Sequence, residues 1–209
     1  MIVQNQAKFN SKATPSIAQE MTCPAFSSLL EIMNGDHKWT ILDLGPARSS
    51  NLENLANFRC KIFIEDTQAL LRNFTGDEVT NEELLAGWLR NLSKYVKPAS
   101  VDVILAWDVL NYLDGNLLAL FLKHITPLLT PTAYIHCLIY SQHEMPSQPT
   151  QFAVIADGKM KYRAITDATR PSPGFTQKDI TQRLVDFNIM KSFLLRNGIQ
   201  EYLLRRALQ

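Results

Sequence analysis

The stretch that decides the fold is Trp39-Thr-Ile-Leu-Asp-Leu-Gly-Pro-Ala47. Its apolar first half predicts a strand, and Gly45 begins a turn of small residues that leads to Ser49, where a helix can start. Glycine has no Cβ, so a ligand can come close to the main chain there, and a helix N-terminus offers unpaired N–H groups. This pattern is typical of a nucleotide-binding cradle, although the same strand-turn-helix unit also occurs in α/β domains as a plain tight turn.

A second strand with an acidic end follows. The apolar run Lys61-Ile-Phe-Ile leads into Glu65 and Asp66, at about the twenty-residue distance where a ribose-binding carboxylate is expected. Glu65 is the stronger candidate because the apolar run ends directly at it, whereas Asp66 can cap the next helix. Together the two strands indicate a ligand that contains adenosine.

Strands and helices alternate along the middle of the chain. Hydrophobic periodicity predicts helices over 25–33, 50–58, 68–74, 81–95, 116–125 and 176–187, and strands over 40–44, 62–65, 101–107 and 133–140. The expected fold class is α/β, a Rossmann-like, mostly parallel and doubly wound sheet. Between Glu65 and Asp102 no convincing strand appears, so we expect the third strand of the sheet to be shortened or missing.

The last third of the chain has a different pattern. Asp157-Gly158 is a two-residue turn signal that predicts a β-hairpin over 152–165, followed by a loop over 166–175. Two further strands, 189–195 and 200–206, meet across Asn197-Gly198, so the sheet is expected to end in an antiparallel hairpin.

We expect one domain over residues 1–209. It would consist of an N-terminal segment with a cap helix (1–38), a cofactor-binding core (39–150), an inserted hairpin and loop (151–175), and a closing helix and strand pair (176–209). A chain of 209 residues with 46% hydrophobic content is large enough to bury a sizeable core.

Composition and charge restrict the kinds of molecule that the protein is expected to bind. The formal net charge is +1, so no electrostatic signal for nucleic acid or an anionic membrane is present. No apolar run approaches the roughly 20 residues of a membrane span. The three cysteines are odd in number and far apart, and the four histidines lack ligand spacing, so we expect neither a disulfide framework nor a metal site. We expect a soluble, cytoplasmic protein.

A parallel sheet that finishes in a long antiparallel hairpin resembles class I S-adenosylmethionine-dependent methyltransferases. The segment 41–49 resembles a degenerate form of the glycine-rich motif of that family, with Asp43 at the acidic position, Gly45 at the first glycine, and small residues at the next two. Glu65 and Asp66 resemble the acid that holds the ribose hydroxyls. The segment 101–113 resembles the fourth strand of small-molecule members, whose end faces cofactor and substrate.

The resemblance implies S-adenosylmethionine as cofactor and methyl transfer to a small-molecule or protein acceptor. The implied cofactor-binding residues are Asp43, Gly45, Ala47, Glu65, Asp66, Trp107 and Asp108. Asp108 is also the candidate general base, the alternatives being cofactor contact or helix capping. Trp107 and Tyr112 either contact adenine or substrate or belong to the core. Asn111 either orients substrate or caps a turn.

A second interpretation is a catalytically inactive methyltransferase-fold module that binds or assembles. Ala47 and Ser49 in place of glycines favour it, as does Arg48 between them. If the cofactor binds, Arg48 should point away from the cationic sulfonium; if the site is occupied by the chain itself, Arg48 should pair with Asp43 or Asp108. The 152–165 hairpin is expected to be a lid over the acceptor, the alternative being a sheet edge or a homodimer contact.

Overall fold

The computed structural model describes residues 18–74 and 77–207. A six-stranded sheet forms its centre, accompanied by a three-stranded and a two-stranded antiparallel sheet. The strands are β1 (Gln19–Thr22), β2 (Trp39–Asp43), β3 (Cys60–Ile64), β4 (Val101–Trp107), β5 (Leu129–Tyr140), β6 (Glu144–Pro146), β7 (Gln151–Ala156), β8 (Lys159–Arg163), β9 (Thr169–Pro171), β10 (Phe187–Leu194) and β11 (Ile199–Arg206). The α-helices are α1 (Pro24–Met33), α2 (Ser49–Leu55), α3 (Thr67–Leu71), α4 (Glu78–Leu92), α5 (Gly115–Ile125) and α6 (Gln177–Arg183). Short 3₁₀ helices span Val109–Tyr112 and Thr126–Leu128.

The central sheet has the strand order β10-β11-β5-β4-β2-β3. β3, β2, β4 and β5 are parallel, β11 is antiparallel to β5, and β10 is antiparallel to β11. Asp43, the last residue of β2, pairs with Ile64 of β3 and Leu105 of β4. The carboxyl ends of the parallel strands therefore meet at one edge, where open α/β sheets bind their ligands.

The predicted α/β fold class is confirmed. β4 has the predicted bounds, the hairpin turns at Asp157-Gly158 with Gly158 at a φ of +64°, and the closing antiparallel pair is present. In the described part of the chain no strand lies beyond β3, because residues 67–71 and 78–92 form α3 and α4. The predicted shortening of the sheet at the β3 edge is therefore confirmed for the described residues.

Three short strands, β1, β6 and β9, were not predicted from the sequence. β1 pairs with β8, so the hairpin of β7 and β8 is the larger part of a three-stranded sheet and is joined to the segment that precedes α1. β6 and β9 pair over three residues each. Short strands that are largely exposed have no clear apolar alternation, which explains why the sequence pattern does not predict them.

A buried carboxylate fixes α1 to the sheet. The helix follows Cys23, which provides no side-chain cap, and its first residue, Pro24, has no N–H. Glu201 of β11, fully buried, accepts hydrogen bonds from the backbone N–H groups of Ala25 and Phe26, both at 2.9 Å, and lies 2.9 Å from His136 Nε2. Glu201 thus supplies from the sheet the cap that the helix lacks.

We expect Glu201→Ala to lower the free energy of unfolding by about 3–5 kcal/mol, because His136 and two helix N–H groups lose their buried partner. Glu201→Gln should have a smaller effect, since the amide oxygen still accepts a hydrogen bond. Urea unfolding measures both, with the exposed Glu53→Ala as control, for which a change within about 0.5 kcal/mol is expected. An effect of Glu201→Ala no larger than that of the control would contradict this role.

Candidate functional site

The candidate site is the turn after β2 together with the neighbouring strand ends, which we call the cradle. Asp43 lies there and is 2% exposed. Its Oδ1 accepts hydrogen bonds from Trp107 Nε1 at 2.6 Å and from the backbone N–H of Gly45 at 2.8 Å. Burial raises the pKa of Asp43 to about 6, and the two hydrogen bonds oppose that shift. Asp43 therefore shapes the turn and links β2 to β4.

The indole of Trp107 lies directly against Gly45. A Cβ at position 45 would lie 2.8 Å from Trp107 Nε1, closer than real Cβ contacts allow. The close approach that the sequence predicts for a ligand is therefore made by an aromatic side chain of the chain itself. Trp107 has a φ of +48°, a conformation that a bulky residue adopts only when its surroundings enforce it.

Phe152 of β7 stacks on the same indole. The two rings are nearly parallel, with an interplanar angle of 9° and a centroid distance of 5.8 Å. The cavity that remains between Gly45, Trp107 and Phe152 measures about 10 Å³, about enough for one water molecule, whereas pockets for drug-sized ligands measure roughly 300–1,000 Å³. The cradle is closed in this conformation.

Residues 150–154, which we call the strap, hold Phe152 in place. Side chains of the cradle bind the main chain of the strap at both ends. Asp108 Oδ2 accepts from the N–H of Thr150 at 2.8 Å, and Gln68 Nε2 donates to the carbonyl of Thr150 at 2.9 Å. Asn51 Oδ1 accepts from the N–H of Val154 at 2.8 Å. Polar groups at the strand ends are thus occupied by the strap.

Asp108 follows β4 and is 1% exposed. Its Oδ2 also accepts a hydrogen bond of 3.4 Å from the hydroxyl of Tyr140, while its Oδ1 has no partner among the described residues. Burial raises the pKa of Asp108 to about 7, although the hydrogen bonds from Thr150 lower it. The side chain does not cap the 3₁₀ helix that follows. Its role as a general base stays a prediction.

The two acids after β3 have different surroundings. Glu65 is half-buried and accepts hydrogen bonds from Tyr95 and Trp88. Burial raises the pKa of Glu65, against the effect of the Trp88 hydrogen bond. Asp66 is exposed and caps α3 by accepting from the N–H of Ala69 at 3.2 Å. The capping alternative for Asp66 is confirmed, and ribose binding by Glu65 stays a prediction.

The predicted substrate residues, Asn111 and Tyr112, lie in the 3₁₀ helix that follows Asp108. Asn111 is buried and links the 3₁₀ helix after β4 to the end of β5, because Nδ2 donates to Leu138 O and Oδ1 accepts from the N–H of Tyr140. Tyr112 is buried, and its hydroxyl donates to Pro146 O at 3.0 Å. Both line a cleft of about 650 Å³.

Ala47 and Arg48 of the altered glycine motif do not line the cavity beside Gly45. Ala47 is exposed, and Arg48 is half-buried. Among the described residues Arg48 forms no ion pair, and its Nε has no hydrogen-bond partner. Burial lowers the pKa of Arg48, and the charge of Arg163 adds to that effect. The chain does occupy its own cradle, but with Trp107 and Phe152 instead of the guanidinium.

Sequence reasoning missed Phe152, Gln68 and Asn51. Phe152 belongs to the predicted hairpin, but its contact with Trp107 joins residues 45 positions apart. Gln68 and Asn51 lie in the first turns of α3 and α2, which is where polar side chains face the edge of an open sheet. Their position in the first turn of a helix was the sequence signal that could have identified them. The described residues contain no group of three or more His, Cys, Asp or Glu side chains arranged for a metal ion.

The raised pKa of Asp108 makes stability depend on pH. Between its ordinary value near 4 and the folded value of about 7, the native state keeps a proton that the unfolded state loses. The contribution of Asp108 to the free energy of unfolding is therefore largest below about pH 4 and declines as the pH rises to 7. We expect the stability of wild type relative to Asp108→Asn to fall between pH 5 and pH 8 in urea unfolding. Parallel stability curves for the two proteins would contradict the assignment.

Comparisons with known proteins concern the fold. A candidate type 11 methyltransferase from Sulfolobus solfataricus matches with a TM-score of 0.53 at 15% sequence identity, over 90% of this chain and 94% of that one. A protein from Pyrococcus horikoshii OT3 matches with a TM-score of 0.50 at 10% identity, over 88% of this chain and 89% of its own. No protein-family model and no curated protein matches the sequence.

None of the helices in the described part of the chain is both long and apolar enough to span a membrane. The structural matches cover about nine-tenths of the chain. At sequence identities of 10–15%, a structural match of this kind shows a shared fold. The chain therefore has the Rossmann-like α/β fold of the methyltransferase type, with an antiparallel strand pair at one edge.

Proposed function

We propose that this chain binds S-adenosylmethionine at the cradle and transfers its methyl group to a small-molecule or protein acceptor. The observation that carries the proposal is the register of β2 and β3, in which Asp43 pairs with Ile64. This register brings the Gly45 turn and Glu65 to adjacent strand ends, where an open α/β sheet binds a nucleoside. The fold shared with the candidate methyltransferase from S. solfataricus supports the same activity.

Cofactor binding requires the strap to move. The cavity of about 10 Å³ beside Gly45 holds no nucleoside. The open state binds the cofactor, and the apparent affinity is reduced by the fraction of molecules that are open. Opening removes Phe152 from Trp107 and frees the side chains of Asn51, Gln68 and Asp108, which then face the bound cofactor instead of the strap.

Methyl transfer requires mainly that the chain hold the methyl donor and the acceptor in the correct orientation. Bound S-adenosylmethionine supplies an electrophilic methyl group on its sulfonium. Holding an acceptor in line with that methyl group is worth roughly 7–11 kcal/mol of barrier. Asp108 Oδ2 loses the Thr150 N–H when the strap opens and can then take a proton from the acceptor. In the closed state, burial raises the pKa of Asp108 to about 7, close to the pH at which a general base works.

The closed cradle favours a second candidate, a methyltransferase-fold binding or assembly module without catalysis. In that case Trp107 and Phe152 fill the cofactor site permanently, and the strap is part of the core. The described cysteines are free, which agrees with a reducing compartment such as the cytoplasm for either candidate.

Titration with S-adenosylhomocysteine distinguishes the two candidates. We expect wild type to bind, and Phe152→Ala to bind at least tenfold more tightly because the closed state loses its aromatic contact. Phe121→Ala is the matched control, since Phe121 is an equally buried phenylalanine on α5, away from the cradle. Isothermal calorimetry gives the affinities, and circular dichroism establishes that each variant is folded.

Phe152→Ala removes a buried ring, which lowers the free energy of unfolding by about 3–5 kcal/mol. A second variant therefore perturbs the strap more mildly. Asn54 Nδ2 donates to the carbonyl of Val154 at 3.2 Å, so Asn54→Ala should loosen the strap and raise the affinity by a smaller factor. Absence of binding to wild type and to both strap variants would overturn the proposal and favour the non-catalytic module.

Removal of the ribose-binding carboxylate should weaken binding selectively. Glu65→Ala is expected to lower the affinity for S-adenosylhomocysteine by about 1.5–3 kcal/mol, the contribution of hydrogen bonds to a charged group. Asp66→Ala, which removes only the cap of α3, should change the affinity little. Calorimetry of the two variants side by side measures the difference, and the reverse order would show that Glu65 is not the ribose ligand.

A further inference from the structure

In the described part of the chain, Asp108 is a buried carboxylate that no positive charge stabilises. It is 1% exposed, and its Oδ1 has no hydrogen-bond partner among the described residues. Burial raises its pKa, and the groups that lower the pKa are uncharged hydrogen-bond donors. An ionised carboxylate costs much more free energy in such surroundings than a protonated one. The closed cradle therefore favours the protonated form of Asp108.

The titratable groups that face Asp108 are two buried phenols. Burial, followed by the charge of Asp108, raises the pKa of Tyr112 in the 3₁₀ helix and of Tyr140 in β5, so both hydroxyls keep their protons near neutrality. The guanidinium of Arg170 in β9 lies 6.0 Å from the ring centroid of Tyr112. Its charge acts on the pKa of Tyr112 and does not contribute to that of Asp108.

The strap completes the enclosure of the carboxylate. Thr150 is 2% exposed, its N–H donates to Asp108 Oδ2 at 2.8 Å, and its hydroxyl lies 2.7 Å from that of Tyr140. Gln68 of α3 contributes an uncharged amide, which donates to the carbonyl of Thr150 at 2.9 Å. When the strap leaves, water reaches the carboxylate and stabilises its ionised form. Opening of the strap therefore favours loss of a proton from Asp108.

We propose that the strap is a pH-dependent gate, in which protonated Asp108 keeps the cradle closed and ionised Asp108 favours the open state. The open state binds fewer protons, so its population rises with pH. The pKa of Asp108 is about 7 in the closed state, and exposure to water returns it towards its ordinary value near 4. The gate is therefore most firmly closed below about pH 4, opens progressively as the pH rises to 7, and changes little above that.

Hydrogen exchange at Val154 measures the gate without any ligand. The N–H of Val154 is bonded to Asn51 Oδ1 at 2.8 Å, so it reports closure of the strap independently of the bond to Asp108. Its protection factor, the intrinsic exchange rate divided by the measured rate, gives the ratio of closed to open molecules. We expect this factor to fall by about tenfold or more between pH 5 and pH 8. The amides of β4 should stay better protected at each pH.

Asp108→Asn separates the carboxylate from the other titrating groups. The amide oxygen still accepts the N–H of Thr150, but the side chain does not ionise, so protection of the strap should change by less than about threefold over the same range. Burial also raises the pKa of Asp43 and of Glu65, and both acids remain in this variant. Asp66→Asn is the control, since it replaces an exposed acid and keeps a cap for α3; it should behave like wild type.

Titration with S-adenosylhomocysteine at pH 5 and pH 8 connects the gate with the cofactor, and this part rests on the proposed function. Only open molecules bind the ligand, so the affinity of wild type should rise by about tenfold or more from pH 5 to pH 8. The affinity of Asp108→Asn should rise by less than about threefold.

Three results would overturn the gate: protection of Val154 that does not change with pH, an equal fall in Asp108→Asn, or protection no lower than that of β4, which would show that the strap opens only when the whole fold opens. Protection that depends on pH as expected, without ligand binding at either pH, would retain the gate and reject the proposed function. Ligand binding together with pH-independent protection would reject the gate alone.

Discussion

The contact between the indole of Trp107 and Gly45 determines the arrangement of the ligand edge of the sheet. It requires glycine at position 45, because a Cβ there would lie 2.8 Å from Nε1. The indole N–H also donates a hydrogen bond of 2.6 Å to the buried carboxylate of Asp43. Without that donor, burial of the acid would cost more free energy. The positive φ of Trp107 is the strain that this position imposes. With the indole fixed, its outer face becomes the platform on which Phe152 stacks.

Closure of the cradle follows from that platform. The aromatic stack contributes about 0.5–1.5 kcal/mol beyond burial, and each strap hydrogen bond contributes roughly 0.5–1.5 kcal/mol. Together they favour the closed state, and the apparent affinity of a ligand that needs the open state is reduced by the fraction of open molecules. Asp108 connects the end of β4 to the strap, because it holds the N–H of Thr150. Opening of the strap therefore changes the surroundings of Asp108 and of the cradle together.

Much of the fold could be predicted from local patterns. The unbroken apolar run of β4, the Asp157-Gly158 turn and the closing strand pair have strong local signals, and the structure contains each of them. The capping of α3 by Asp66 also followed from its position after the strand. What the sequence did not predict depends on distant contacts. β1 is defined by its partner β8, and Phe152 reaches the cradle only because the hairpin folds back over α2. No local periodicity encodes such contacts.

Hydrogen exchange at the strap tests the central claim most directly, namely that the cradle opens when the cofactor binds. The N–H groups of Thr150 and Val154 are bound to Asp108 and Asn51 in the closed state, so both should exchange slowly without ligand. On saturation with S-adenosylhomocysteine, we predict faster exchange at these two amides while the buried strand β4 stays protected. Binding of the ligand with strap protection unchanged or increased would contradict the account.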